Sequence, residues 1–102
     1  MKNGLVEQTD FKRIDDILHG TSFHGDVIYT SLEHLIELFG KPDELLDYKV
    51  NYEWSLQYKD IPFYIYDWKE DIIKLDKPIY WHIGAFNEED SKIVYNSLKE
   101  LL

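Results

Sequence analysis

Between Val50 and Tyr58 apolar and polar side chains alternate, with Val50, Tyr52, Trp54, Leu56 and Tyr58 on one parity and Asn51, Glu53, Ser55 and Gln57 on the other. A period of two is that of a strand with one buried and one wet face. Lys59 and Asp60 then mark a tight reversal, and Ile61 to Trp68 reads as the returning strand of a hairpin, aromatic on both faces. Pro62 has no amide to donate, so it belongs near the start of that strand or on an unpaired edge. Upstream the period changes. Leu32, Leu35, Ile36 and Phe39 follow helical spacing, Thr30 and Glu33 have the separation of a capping box, and Gly40 with Pro42 ends the run. Asp10 is placed to cap an earlier helix carrying Phe11, Ile14, Ile17 and Leu18 on one side and stopping at Gly20. Thr21 to Tyr29 reads as a strand bent or bulged at Gly25. Residues 70 to 79 read as a charged loop before a short strand from Tyr80 to Ile83, and Asn87 caps a last helix whose buried stripe is Val94, Leu98 and Leu101. The predicted order is α-β-α-β-β-β-α: one α+β domain over residues 1–102, with a small antiparallel sheet of about four strands and helices packed on one face.

Composition supports a folded chain. Of 102 residues 44% are hydrophobic and 16% aromatic, which argues against disorder. There is no cysteine, which excludes a disulfide scaffold or thiolate metal site and fits a reducing compartment. No apolar run approaches the roughly eighteen residues of a membrane span, and the first residues lack the apolar centre of a signal peptide. The expected location is the cytoplasm, with no membrane partner. Twenty acidic against eleven basic side chains give a net charge of −9, so direct nucleic-acid binding is disfavoured. The excess is greatest in residues 1 to 48, with 10 acids and 4 bases.

Catalytic patterns are sparse. His19 and His24 have no metal-binding spacing, and His34 lies on a helix among apolar neighbours. Neighbouring acids such as Asp15 and Asp16 point apart on a helix and cannot share a proton. There is no glycine-rich phosphate loop and no serine elbow. A non-enzymatic protein without metal or cofactor is expected. The densest chemistry is Tyr66, Asp67, Trp68 and Lys69 followed by Trp81, His82 and Gly84. Aromatic faces stack on bases, while lysine and histidine meet phosphate oxygens. Tyr66, Trp68, Lys69, Trp81 and His82 are therefore the candidate ligand-binding residues. The alternative is a core role for Trp68 and Trp81, with Asp67 and Lys69 paired at the surface. Strand alternation would place Tyr66 with Trp68 on one face and Asp67 with Lys69 on the other.

Four motifs occur in order: Phe39-Gly40-Lys41-Pro42, Lys49-Val50 with Glu53-Trp54, Ile65-Tyr66-Asp67-Trp68-Lys69, and Trp81-His82-Ile83-Gly84. Together they resemble a family of uncharacterised small bacteriophage proteins with FGxP, KVxxEW, IYDWK and WHIGG motifs, over about residues 20 to 100. Ala85 stands where that pattern has a second glycine, which weighs against a close backbone approach there.

The resemblance implies a phage-type protein made in the bacterial host cytosol. By analogy with small phage proteins that blunt host defence, three functions follow. The first is sequestration of a nucleotide-derived host immune signal by the aromatic cluster. The second is inhibition of a host defence protein, a nuclease or CRISPR effector, by phosphate mimicry through Asp10, Asp15, Asp16, Glu33 and Glu37. The third is a virion or assembly component, where self-association into a homo-oligomer would be the activity.

Overall fold

Trp54 and Trp81, from two different strands, meet edge to face with ring centroids 5.6 Å apart, and both are fully buried. Around them a computed structural model, which describes residues 6–15, 21–43, 50–70 and 73–102, arranges five strands and two helices. The strands are β1 (Phe11–Arg13), β2 (Ser22–Ser31), β3 (Glu53–Tyr58), β4 (Ile61–Tyr66) and β5 (Pro78–Ala85). The helices are α1 (Leu32–Phe39) and α2 (Glu88–Leu101). All the strand pairs are antiparallel, in the order β1-β3-β4-β5-β2. The expected α+β architecture is present, with one more strand than the sequence predicts.

Alternation sorts each strand onto two faces. Trp54, Leu56 and Tyr58 of β3, Phe63 and Ile65 of β4, Trp81 and Ile83 of β5, Ile28 of β2 and Phe11 of β1 form one cluster with Leu32, Leu35 and Phe39 of α1 and Val94 and Leu98 of α2. Both helices therefore cover one face of the sheet. Each indole N–H of the central pair reaches an end of α1. Trp81 donates to the Thr30 carbonyl at 2.8 Å, just before the helix, and Trp54 donates to the Gly40 carbonyl at 2.9 Å, just after it. Gly40 takes a positive φ of 83°, which glycine adopts without a Cβ clash. Arg13 adds a second fastening by donating to the Phe39 and Lys41 carbonyls and pairing with Asp43 at 2.6 Å.

Several boundaries differ from the sequence reading. Residues 11–13 are strand, not helix. The Asp10 carboxylate accepts the Glu7 amide at 2.9 Å and closes a short 3-10 turn over Gln8–Asp10, so it faces back along the chain and caps nothing downstream. Ile17, Leu18, His19 and Gly20 lie outside the described residues. Helix α1 is capped by Ser31, whose hydroxyl accepts the His34 amide at 3.1 Å, and not by Thr30, which lies one residue further back in β2 with its hydroxyl 3.3 Å from His34 Nδ1. Strand β5 extends two residues beyond each end of the predicted Tyr80 to Ile83. Pro62 falls near the start of β4 as expected, before that strand's pairing with β5 begins at Tyr64.

Helix α2 starts at Asn87, whose side chain accepts the Asp90 amide at 2.8 Å. Its first turn is fixed to β2 through buried Asp26, which accepts from the Ser91 hydroxyl at 2.7 Å and from Lys92 at 2.6 Å. Burial pushes the Asp26 carboxyl up, but the hydrogen bonds from Lys92 and Ser91 and the charges of Lys92 and His24 outweigh it, leaving Asp26 below the usual carboxylate range. Its contribution to stability is therefore present above about pH 4, the ordinary value, and is lost as pH falls through the lower folded value. Asp26→Asn is expected to cost about 1–3 kcal/mol in denaturant unfolding at neutral pH. The gap from the wild type should close as the acid limb is entered; a gap that widens there would contradict the assignment.

Candidate functional site

Among the described residues no helix lies on the second face of the sheet. Because Trp81 and Ile83 turn toward the helices, Tyr80, His82 and Gly84 of β5 turn away from them. By register Tyr64 and Tyr66 of β4 and Phe23, Val27 and Tyr29 of β2 share that open face. His82 lies near its middle, opposite Val27 on one side and Tyr66 on the other. The Phe23 ring stacks on the imidazole at 4.2 Å and 21°, and the Tyr66 ring meets it edge-on at 5.4 Å. Trp68 stands nearly perpendicular to Tyr66, at 83° and 6.4 Å, and is 39% exposed. Lys69 extends its ammonium over the Trp68 ring at 5.6 Å.

Two backbone features shape this group. Gly84 sits beneath Tyr66, since a Cβ there would lie 3.4 Å from Tyr66 Cε1 and 3.7 Å from Tyr64 Cβ. In β2 the register slips between Phe23 and Val27, with Gly25 at φ 95°. Extending the Val27–His82 register would set Phe23 opposite residue 86. The bulge instead sets it opposite Gly84, diagonal to His82 and within stacking reach.

Asp67 departs from the sequence expectation. It is fully buried and accepts the amides of Asn51 at 2.9 Å and Tyr52 at 2.7 Å through one oxygen, and the Asn51 side-chain amide at 2.9 Å through the other. Asn51 also donates to the Glu70 carbonyl at 2.8 Å, so the turn bearing Trp68 and Lys69 is fastened at both ends. Asp67 and Lys69 do not pair at the surface. Strand β4 ends at Tyr66, yet its parity carries on for two residues: Asp67 is buried like Phe63 and Ile65, and Trp68 shares the outer face with Tyr66 as alternation predicts, so the inward member is Asp67 and not Trp68. Lys69 sits in the left-handed region at φ 58°.

Of the five predicted ligand residues, Tyr66, Trp68, Lys69 and His82 come together. Trp81 does not join them: it is 0% exposed, on the helix-covered face, with its N–H committed to Thr30. Phe23, which the sequence reading left out, takes a place in the group; the glycine two residues on signalled an irregular strand but not the size of the slip. Ala85 is a buried strand residue whose carbonyl lies 3.1 Å from His24 Nε2.

Burial pushes the His82 imidazole below its ordinary range, while the carboxylates of Asp67 and Glu70 pull it up without cancelling the effect. Burial, followed by the Glu53 charge, raises the Tyr66 phenol. At neutral pH the site therefore presents neutral rings, the Lys69 cation, and the carboxylates of Glu53 and Glu70 nearby. Such a surface stacks on a flat ring and offers one ammonium to an anionic substituent.

The acidic candidates are spread out. Asp10 is held by the Glu7 amide, Asp15 is exposed just beyond β1, and Glu33 and Glu37 are exposed one turn apart on α1; Asp16 lies outside the described residues. Among the described residues no group of three or more His, Asp or Glu side chains is placed to hold a metal ion. None of the described helices is long and apolar enough to cross a membrane. Comparison of the chain with protein-family models, with curated proteins and with solved structures finds no match.

Two outcomes test this geometry. Asp67→Ala strips two backbone amides of their acceptor and should cost about 2–4 kcal/mol, whereas Trp68→Ala should cost about 1 kcal/mol or less, as read by denaturant unfolding. Equal costs would contradict the assignment of Asp67 as the buried member. In an NMR titration His82 should titrate below about 6.5, its ordinary value. The neutral ring then favours folding above that pH, and this contribution is lost as pH falls toward the folded value.

Proposed function

We propose that this chain is a binding protein that holds a nucleotide-derived small molecule on the open face of its sheet, between Phe23, Tyr66, Trp68, Lys69 and His82. The observation that carries the reading is the gathering of four predicted ligand residues, with Phe23 as a fifth, on the face that the described helices leave uncovered. The rings supply stacking area for a base, and Lys69 supplies a counter-charge for a phosphate. Glu53 and Glu70 near the same rings disfavour a ligand with many negative charges, so a base bearing few phosphates fits better than a polyphosphate. Binding requires no catalytic step and no cofactor.

The resemblance of the four motifs to small bacteriophage proteins supports a setting in a bacterial host cytosol, where removing a nucleotide signal would keep host defence from being triggered. That biological setting rests on the resemblance alone, by analogy.

A panel of nucleosides, mononucleotides, cyclic dinucleotides, cyclic oligonucleotides and NAD-derived signals, each added to the purified protein in a thermal melt, tests the reading. A ligand that binds the folded state alone raises Tm. A rise of several degrees with one compound, lost in Trp68→Ala and Lys69→Ala but kept in Glu33→Lys, is the expected result. A Tm unmoved across the panel would reject the small-molecule reading and leave the acidic surface with Glu33 and Glu37 as the next candidate.

A further inference from the structure

The two edges of the sheet are built differently. Edge strand β1 is three residues long and includes Lys12 and Arg13, a short cationic edge of the kind that resists pairing with another sheet. Edge strand β2 is ten residues long, contains no lysine, arginine or proline, and has no strand beyond it among the described residues. Its bulge near Gly25 interrupts the first half, but the register from Val27 to Ser31 is regular. Along that regular half Tyr29 and its partner Tyr80 are 59% and 60% exposed, with ring centroids 4.7 Å apart. A cleft beside the edge is lined by Val27, Tyr29 and Tyr80 together with Tyr95, Lys99 and Leu102 from the second half of α2.

We propose that the Val27–Ser31 edge is a self-association surface on which a second copy of this chain pairs antiparallel about a two-fold axis near Tyr29. Antiparallel pairing of one segment with itself is self-complementary, so each copy offers the other the same backbone donors and acceptors. Tyr29 then faces Tyr29 of the copy, flanked by the two Tyr80 rings, and the exposed aromatic area is covered. Charge points to the same occupant. The chain carries −9, which opposes the approach of two copies over most of their surface. In β2 the one acid, Asp26, is turned inward and neutralised by Lys92, and Val27 to Ser31 has no charged side chain at all. This is the stretch where like-charge repulsion between copies is least. It also lacks the carboxylates that would select a basic foreign peptide.

Sedimentation equilibrium of the full chain from about 1 μM to about 1 mM, a range that spans weak to moderate dimers, tests the proposal. The expected result is a mass that rises with concentration to twice that of the chain. Tyr29→Lys puts two like charges opposite one another and should weaken the association by about tenfold or more. Tyr80→Lys should weaken it while leaving β2 itself unaltered, and Lys12→Gln at the opposite edge should not change it. A single-chain mass throughout the range would overturn the proposal, as would a dimer indifferent to both tyrosine substitutions.

Discussion

The contact between Trp54 and Trp81 is the constraint on which the remaining arrangement depends. It joins β3 to β5 across β4, and its two indole N–H groups satisfy carbonyls at opposite ends of α1. Burying two indoles removes a large apolar area from water, and giving each N–H an acceptor avoids the penalty of an orphan donor. The same contact also decides the opposite face. With Trp81 turned toward the helices, His82 must turn away, and Gly84, two residues on, leaves room for Tyr66 to lie over the strand. Core and candidate site are thus set by one parity along β5.

Much of this was legible in the chain. Alternation from Val50 to Tyr58 and helical spacing from Leu32 to Phe39 gave the hairpin strand and α1, because each pattern repeats often enough to distinguish the two periods. Asn87 marked the start of α2 through a cap that needs only local geometry. The failures are equally local. Three residues of β1 are too few to show a period, so Phe11 and Ile14 fitted a helical spacing as readily as an extended one. Tyr66 to Lys69 looked like continuing strand, yet β4 stops at Tyr66; its parity still holds at Asp67, buried like Ile65 and kept inside by three hydrogen bonds, and it is lost at Lys69, where φ is 58°. Phe23 was missed because its position beside His82 depends on a register slip that no residue pattern specifies.

The four ordered motifs acquire separate physical roles. Gly40 ends α1 and offers its carbonyl to Trp54, Trp54 and Trp81 centre the core, and Asp67 fastens the turn after β4. These parts account for a fold. Trp68, Lys69 and His82 are not explained in the same way, since they lie at or near the open face. The split between motif residues that build the domain and those that decorate its open face is the main reason to look for a ligand there, and it removes Trp81 from the candidates. The described acidic candidates Asp10, Asp15, Glu33 and Glu37, by contrast, are spread over a 3-10 turn, the end of a short strand and one helix.

The face assignment is tested most directly by acrylamide quenching of tryptophan fluorescence in the wild type and in Trp68→Phe. With Trp54 and Trp81 inside and Trp68 partly exposed, the wild type should show a quenchable fraction of emission that disappears in the variant, leaving two protected indoles. Quenchable emission that persists in Trp68→Phe would put Trp54 or Trp81 at the surface, and would contradict both the core and the open face derived from it.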